Sequence, residues 1–349
     1  MTGAGTAPGT GPVPAVMPSP LLSWPGAVAA DPPDVGVAAH YGDPLREQRA
    51  LADGLADGLT DGLTKGGVLV DRSNREVLRI SGADRLSWLH TLTTQHLTNL
   101  PPGEATETLV LSPHGHVEHH LVLVDDGDAV WVHAEPGTAG ALLGFLESMR
   151  FLLRVEPETV TPAWAVLTLA GPQAAALVPA GRATMTRAYG VDVLVPRELL
   201  AEQAGQLQRA GAAPVGIAAF EAVRVAERRP RLGLETDHRT IPHELGWIGS
   251  AVHLQKGCYR GQETVARVHN LGRPPRRLVF LHLDGVDEVL PAHGDAVTLD
   301  GRPVGVVTSA ARHYELGPIA LAMVKRRTPV DVILDVGETR AAQEVVVAA

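Results

Sequence analysis

The residues best suited to carry out chemistry lie in one octapeptide, Lys256-Gly257-Cys258-Tyr259-Arg260-Gly261-Gln262-Glu263. Its two glycines allow the backbone to approach a ligand closely and display the thiol of Cys258 from a turn. Lys256 and Arg260, each two residues from that thiol, would lower its pKa if their side chains converge on it. Alternatively, Cys258 is a small buried apolar residue, as free cysteines commonly are. The polar, glycine-flanked setting favours a reactive thiol.

A second group of candidates is a run of histidines, namely His114, His116, His119 and His120. On a strand, side chains two residues apart share a face, so His116, Glu118 and His120 would point the same way. Two imidazoles and a carboxylate can bind a transition metal. Any solvated strand face gives the same pattern, however, and nothing fixes the register of His133 on the following strand. We therefore predict no metal site, and we expect histidines that are solvated or in contact with a ligand.

A third group lies between residues 224 and 231, where several arginines and Glu227 follow an apolar segment. A guanidinium such as that of Arg224 could bind a carboxylate, for example a glutamyl tail. The same residues could instead form the solvated basic end of a helix, which the helix dipole stabilises. The residues alone leave both interpretations open.

Several common catalytic and cofactor-binding motifs are absent from the sequence. There is no Walker A motif and no G-x-S-x-G elbow, and His243-Glu244 lacks the second histidine of H-E-x-x-H. The glycine-rich residues 3–11 do not follow a strand, which excludes a dinucleotide fingerprint. Cys258 is the only cysteine, so four thiolates from one chain cannot hold an iron–sulfur cluster. Any such cluster would have to be shared, transient or ligated by other groups.

The bulk composition is that of a soluble globular protein, with 45% hydrophobic and 20% charged residues among 349. A net charge of −9 gives no overall attraction to nucleic acid or to an anionic membrane. No apolar run reaches the roughly 18 residues of a membrane helix. The first basic residue is Arg46, so no signal peptide is predicted, and a single cysteine excludes an internal disulfide. We expect a cytoplasmic protein that binds neither membrane nor nucleic acid directly.

The apolar pattern predicts an α+β region followed by a small all-β domain. Strands are predicted in the first region at residues 68–71, 76–81, 108–111, 117–124, 129–133 and 164–170. Helices are predicted there at residues 85–97, 138–151, 174–178 and 217–228. Residues 231–272 lack the periodicity of long elements, and long loops of this kind are often functional. An antiparallel barrel is predicted from strands at 278–283, 296–299, 304–309, 319–324 and 330–334.

The chain divides into three predicted parts. Residues 1–40 are rich in Gly, Pro, Ala and Thr without periodicity and are predicted to be a disordered tail. The main domain is predicted to span residues 41–272, with a low-complexity insertion at 51–66 whose repeated Asp-Gly pairs make a poor helix. Residues 273–349 are predicted to form the separate β-barrel domain. We assign no function to the insertion.

The octapeptide resembles the K-G-C-Y-x-G-Q-E signature of the YgfZ proteins, which are related to the aminomethyltransferase, or T-protein, of the glycine cleavage system. Further similarity to that superfamily lies in the segments 85–90, 100–103, 109–124 and 246–248 and in the C-terminal β-rich part. The resemblance covers about residues 41–349. It implies a ring-like folate-binding domain of two subdomains plus a C-terminal antiparallel β-barrel.

The resemblance also implies function. Proteins of the YgfZ type bind tetrahydrofolate or a one-carbon derivative, support assembly or repair of iron–sulfur proteins, and affect tRNA modification indirectly. The expected partners are therefore folate and iron–sulfur client or assembly proteins. We assign catalytic roles to Cys258 and Lys256. We assign folate contacts to Arg224, Glu227, Tyr259, Gly261 and Gln262.

Two departures from the T-protein pattern bear on the activity. The transferases place Glu two residues after the arginine of their folate-binding segment, whereas Ala226 stands here and Glu227 follows it. Near the Gly115 hairpin, where they place a catalytic aspartate, this chain has His119 and His120, and only Glu118 is acidic. The leading hypothesis is a folate-binding maintenance factor for iron–sulfur proteins. A folate-dependent aminomethyl transferase or demethylase, and a plain scaffold with a vestigial pocket, remain as alternatives.

Overall fold

The computed structural model contains two five-stranded sheets and a closed six-stranded barrel. The predicted α+β architecture with a C-terminal antiparallel barrel is confirmed. The structure describes residues 17–55, 67–171, 174, 178, 183–272, 274–284 and 289–347. Most of the predicted helix at 174–178 lies outside these residues. No helix within the described ranges is long and apolar enough to cross a membrane.

The described part of the N-terminal segment, residues 17–40, is packed, which differs from the disordered tail expected over 1–40. Leu21 and Val37 are fully buried in two different apolar cores. Gly and Pro content misled the prediction, because a few apolar residues suffice to anchor an irregular segment on a formed core. Its elements are a 3-10 helix (Pro20–Ser23) and strands β1 (Val28–Ala29) and β2 (Ala38–His40).

Helix α1 (Pro44–Leu55) extends into the tetrapeptide repeat, where the sequence predicts a poor helix. Leu51 is fully buried beside the core of the second sheet, so packing outweighs the low helix propensity of glycine there. The Glu47 carboxylate fixes the helix by accepting backbone hydrogen bonds from Tyr41 and Gly216. The rest of the predicted insertion, residues 56–66, lies outside the described residues.

Strands β3 (Val68–Asp71) and β4 (Glu76–Ser81) have the predicted bounds but enter different sheets. The polar residues 72–75 between them therefore cross from one sheet to the other. Arg72 and Arg75, which lie in this crossing, are buried and reach a cavity. Sequence periodicity identifies strands, but it carries no information about which sheet each one joins.

The first sheet is antiparallel with the order β5-β6-β7-β4-β8. Its further strands are β5 (Ala105–Leu111), β6 (Val117–Asp125), β7 (Ala129–Ala134) and β8 (Glu156–Thr159). Two helices cover one face and are shorter than predicted, namely α2 (Arg85–Leu92) and α3 (Ala139–Ser148). Helix α2 ends early because Thr93 is extended and its hydroxyl donates to the Leu89 carbonyl.

The second sheet has the order β10-β11-β9-β3-β12, and only the β3–β12 pair is parallel. Its further strands are β9 (Trp164–Ala170), β10 (Thr184–Arg187), β11 (Gly190–Pro196) and β12 (Ala213–Val215). A short 3-10 turn (Arg197–Leu199) leads into helix α4 (Leu200–Arg209), and helix α5 (Ile217–Ala226) follows β12. Helix α5 packs between this sheet and the barrel, so seven of its ten residues are buried.

The segment 231–272 contains a 3-10 turn (Pro242–Leu245) and helix α6 (Gln262–Leu271). Helix α6 is missing from the sequence-based prediction because Val265 is its only fully buried residue, which leaves little apolar periodicity. The closed barrel has the order β13-β16-β15-β14-β17-β18. Its strands are β13 (Arg276–Leu283), β14 (Ala296–Leu299), β15 (Arg302–His313), β16 (Gly317–Lys325), β17 (Ile333–Val336) and β18 (Thr339–Val345).

Candidate active site

A cavity of about 400 Å³ lies where both sheets, helix α5, the loop after it and the C-terminal residues meet. We call it the central cavity. Apolar and aromatic residues form part of its wall, among them Tyr189, Ile217, Phe220, Leu245 and Trp247. Arginines form another part, namely Arg72, Arg75, Arg187, Arg224, Arg228, Arg229 and Arg231. The acidic residues on the wall are fewer, namely Asp34, Glu107, Glu135 and Glu221.

A buried ion network links distant segments at the cavity wall. Both terminal nitrogens of Arg231 donate to Asp34, and its Nε donates to Glu135 at 2.8 Å. Arg75 also donates to Glu135 and to the ring of His133. These cations hold the pKa of Glu135 well below its usual range, although burial acts in the opposite direction. The network therefore carries fixed charges at neutral pH and ties the N-terminal segment to the first sheet.

A second cluster occupies the wall at the open face of the first sheet. Oε2 of Glu107 on β5 forms an ion pair with Nη2 of Arg187 on β10 at 2.8 Å and lies 3.0 Å from Nε2 of His120 on β6. The imidazole of His120 stacks on the indole of Trp247, with ring centroids 5.0 Å apart and planes 27° apart. Hydrogen bonding to His120, together with Arg187, lowers the pKa of Glu107 to about 2 against the effect of burial.

Arg224 lies on the cavity wall, as its predicted role requires, but its guanidinium is extensively hydrogen-bonded. It donates to Glu221, to Glu235 and to the hydroxyl of Ser309 on the barrel. Glu227 is exposed and lies 2.8 Å from Arg229 Nε, and it does not line the central cavity as described. Nη2 of Arg229 is buried without a hydrogen-bond partner among the described residues.

The octapeptide 256–263 lies outside the described lining of the central cavity. Lys256 is buried, and its Nζ donates to the backbone carbonyl of His90 in the last turn of helix α2 and to those of Thr93 and Gln95 just after it. Burial lowers the pKa of Lys256 to about 8. The hydrogen bonds of its ammonium thus join the octapeptide to the end of helix α2, which is a structural role.

Cys258 is an exposed free thiol. The neighbouring Arg260 donates to Glu118 at 3.0 Å and lies over the ring of Phe145. The described contacts of both flanking cations are thus with groups other than the thiol. The structure shows exposure at Cys258, whereas the convergence of Lys256 and Arg260 on it is not observed.

The other signature residues pack against the rest of the domain. Tyr259 is buried in an apolar core together with Trp247, and burial raises its pKa to about 12. Gly261 has φ +82°, and a Cβ there would lie 2.7 Å from the Ser112 carbonyl oxygen. Only glycine therefore fits this contact with the β5–β6 hairpin. Gln262 is the first residue of helix α6. The predicted folate contacts of these three residues stay predictions.

The histidine run does not assemble a metal site in the part of the chain that the structure describes. No group of three or more His, Cys, Asp or Glu side chains there is arranged to hold a metal ion. His120 faces the central cavity, His119 is buried, and Glu118 is paired with Arg260 at the surface. His133 is buried between Arg75 and Asp192 in the ion network.

Sequence reasoning missed Glu107, Arg187 and Tyr189, and it noted Trp247 only as part of a family segment. Glu107 lies between Thr106 and Thr108, just before the predicted strand 108–111, where a solvated carboxylate is the ordinary interpretation. Arg187 and Tyr189 lie at a turn between strands that the sequence did not reveal. A signal was available for Glu107 alone, since it is the only acidic residue in the hairpin strand that precedes Gly115.

The sequence matches two domains of a known protein family. Residues 60–188 match the GCVT N-terminal domain, and residues 276–348 match the glycine cleavage T-protein C-terminal barrel domain. An aminomethyltransferase of Geobacillus kaustophilus is 31% identical over 296 residues, which cover 74% of this chain and 79% of the relative. The chain belongs to the glycine cleavage T-protein family.

Other members are similar over the same region. A chloroplastic protein of Arabidopsis thaliana that carries the name of a transferase is 28% identical over 298 residues. That match covers 73% of this chain and 65% of the plant protein. The crystal structure of the glycine cleavage system aminomethyltransferase T from Bartonella henselae superposes with a TM-score of 0.76 at 19% identity. It covers 93% of this chain and 94% of that structure, so the T-protein fold is shared nearly throughout.

Proposed function

We propose that this protein binds tetrahydrofolate in the central cavity and transfers a one-carbon unit between the folate and an amine-bearing donor. The observation that carries the proposal is the cavity itself, where an aromatic wall around Trp247 lies close to a wall of arginines. A ligand that is flat and aromatic at one end and anionic at the other would match both walls. Tetrahydrofolate has this form, and the volume of about 400 Å³ lies within the range of small-molecule sites.

The side chains on the wall suggest how the ligand lies. The stacked pair of Trp247 and His120 offers a flat surface for a heterocycle. Because Arg224 already donates to Glu221, Glu235 and Ser309, it has little capacity left for a carboxylate. The buried, unpartnered Nη2 of Arg229 is a better donor for an acidic tail. Arg224 would then act mainly by holding helix α5 against the barrel.

Family membership supports transfer chemistry over the maintenance role that the octapeptide first suggested. The relatives named above are an aminomethyltransferase and a protein named a transferase. The missing aspartate of the hairpin argued against transfer, and Glu118 does not replace it because it is paired with Arg260 at the surface. Glu107 supplies a carboxylate to the central cavity from the neighbouring strand. Loss of the aspartate therefore does not leave the cavity without an acidic group.

The test is calorimetric titration of tetrahydrofolate into the wild type and into Trp247→Ala and Trp247→Phe. We expect alanine to weaken binding about 10-fold or more, since an aromatic contact contributes about 1 kcal/mol beyond its buried area. Phenylalanine should retain most of the affinity. Trp24→Ala, at a tryptophan outside the cavity, is the matched control. No binding to the wild type at high micromolar tetrahydrofolate would overturn the proposal.

A second candidate, support of iron–sulfur proteins in the cytoplasm, is favoured by one observation. Cys258 is a free, exposed thiol on the loop that resembles the YgfZ signature, so it is accessible to a partner protein. In a strain lacking this protein, wild type should restore the activity of iron–sulfur enzymes, whereas Cys258→Ser should restore less than about a tenth of it. Ser112→Ala, on the adjoining hairpin, serves as the control. Equal rescue by Cys258→Ser would remove the thiol from this role.

A further inference from the structure

The central cavity contains a histidine whose orientation is fixed by three neighbours. Nε2 of His120 faces the Glu107 carboxylate at 3.0 Å, and Trp247 covers one face of the ring. Nη2 of Arg187 forms an ion pair with the same carboxylate oxygen at 2.8 Å, which holds Glu107 in place. His120, Glu107 and Arg187 come from three different strands, and all three line the cavity. Side chains in this arrangement have little freedom to turn away.

A carboxylate beside one ring nitrogen is the arrangement that prepares a histidine for proton transfer. The carboxylate accepts the N–H of Nε2, which places the lone pair of the neutral ring on Nδ1. It also stabilises the imidazolium that forms when Nδ1 accepts a proton. Glu107 is suited to this because hydrogen bonding to His120 and the nearby Arg187 keep it ionised, with its pKa lowered to about 2. The Nε of Arg187 is buried without a hydrogen-bond partner among the described residues, so its N–H can donate to a ligand oxygen.

We propose that His120 is the proton-transfer residue of the central cavity and that Glu107 is its positioning residue. This inference rests on the proposed function. His120 Nδ1 accepts the proton that an amine nitrogen loses as its bond to the one-carbon unit forms. It returns that proton to the nitrogen whose bond to the same carbon breaks. One N–C bond forms, one breaks, and no electrons pass to or from an oxidant or reductant.

The charged group in contact with His120 is Glu107 from β5, which is itself paired with Arg187 from β10. Trp247 contributes an uncharged ring. A glutamine at position 107 can donate as well as accept, so it would no longer enforce the N–H of His120 on Nε2. Glu107→Gln should therefore raise the share of His120 rings that are protonated at Nδ1. A merely structural Glu107 would leave the tautomer unchanged.

The first experiment follows His120 without any turnover. In histidine-labelled protein, the resonances lost in His120→Gln assign this ring, and its nitrogen shifts at alkaline pH report the tautomer of the neutral ring. We expect a ring protonated at Nε2 in the wild type and a larger share protonated at Nδ1 in Glu107→Gln. An Nδ1-protonated ring in the wild type, or an unchanged tautomer in Glu107→Gln, would overturn the proposal even if tetrahydrofolate binds.

The second experiment measures transfer, with 5,10-methylenetetrahydrofolate, ammonium and a small thiol as reactants and released tetrahydrofolate as the readout. The methylene carbon exchanges one of its two folate N–C bonds for a bond to the ammonia nitrogen, which is the step assigned to His120. It exchanges the other for a bond to the thiol sulfur, whose proton goes to the second folate nitrogen. His120→Gln should lower the turnover rate about 100-fold or more at saturating 5,10-methylenetetrahydrofolate, where a weaker folate contact no longer affects the rate. His114→Gln, at the exposed tip of the same hairpin, should retain the wild-type rate. Turnover of His120→Gln within threefold of wild type contradicts the proton-transfer role of His120. Failure of the wild type to bind tetrahydrofolate contradicts instead the proposed function on which that role rests.

Discussion

Replacing Arg231 by methionine is expected to lower the free energy of unfolding by about 3–5 kcal/mol. The guanidinium is buried, donates to Asp34 and Glu135, and lies 3.3 Å from Glu221. Methionine fills a similar volume but leaves three carboxylates of the cavity wall without this cation. Uncompensated buried charge is costlier than loss of the hydrogen bonds alone. Urea unfolding at neutral pH, followed by circular dichroism, measures the effect.

The destabilisation should depend on pH in a defined direction. Glu135 has a pKa held well below its usual range, so its ionised form contributes stability above the unfolded pKa of about 4.5. In the wild type this contribution is lost as pH falls below that value. In Arg231→Met the carboxylates have lost a partner, and protonation relieves part of their repulsion. The difference between wild type and variant should therefore shrink as pH is lowered from 7 toward 4.

Arg239→Met is the matched control, because Arg239 is 67% exposed and its distance to Asp237 is 3.9 Å. Exposed pairs of this kind contribute less than about 1 kcal/mol, so this variant should unfold like the wild type. If Arg231→Met were equally stable, the ion network would not be what anchors residues 17–40 to the body of the protein. Limited proteolysis of that segment gives an independent readout, since it should become faster in Arg231→Met alone.

Local signals in the sequence specify much of the fold. The β5–β6 hairpin follows from two apolar runs around Ser112-Pro113-His114-Gly115, because its pairing and its turn lie within one continuous segment. Strand β9 is equally local, since residues 164–170 form an apolar run that only Thr168 interrupts. The separation of β3 from β4 into two sheets depends on distant partners, since Val68 pairs with Ala170 and Ser81 with Ala129, and no local pattern encodes these pairings.

The site was less accessible to sequence reasoning for the same reason. The octapeptide is conspicuous because its unusual residues are adjacent, yet its described contacts are mainly with the hairpin and with carbonyls after helix α2. The central cavity instead combines Asp34, Glu107 and Arg231, which are far apart in the chain. Each of them alone resembles an ordinary surface charge. Only the fold brings them together, so a sequence motif predicts a loop more readily than a cavity.

Replacing Lys256 by methionine is expected to lower the free energy of unfolding by about 3 kcal/mol. The ammonium donates to three backbone carbonyls and lies 5.1 Å from the centre of the Tyr259 ring. Removing it leaves the carbonyls of His90, Thr93 and Gln95 without this donor, and each buried unpaired carbonyl costs about 1 kcal/mol or more. A cation near the C-terminal end of helix α2 is also lost. Thermal unfolding, with urea unfolding as confirmation, measures the change.

Cys258→Ser provides the control for this prediction, because the thiol is exposed and should contribute less than about 0.5 kcal/mol. Comparing Lys256→Met with Cys258→Ser distinguishes the role of the lysine from that of the cysteine within the octapeptide. If Lys256 is structural, Lys256→Met loses stability but binds tetrahydrofolate normally at temperatures where it remains folded. A stable Lys256→Met protein with impaired function would instead support the catalytic role that the place of Lys256 in the octapeptide predicts. The outcome decides whether the lysine supports the loop that displays Cys258 or acts beside it.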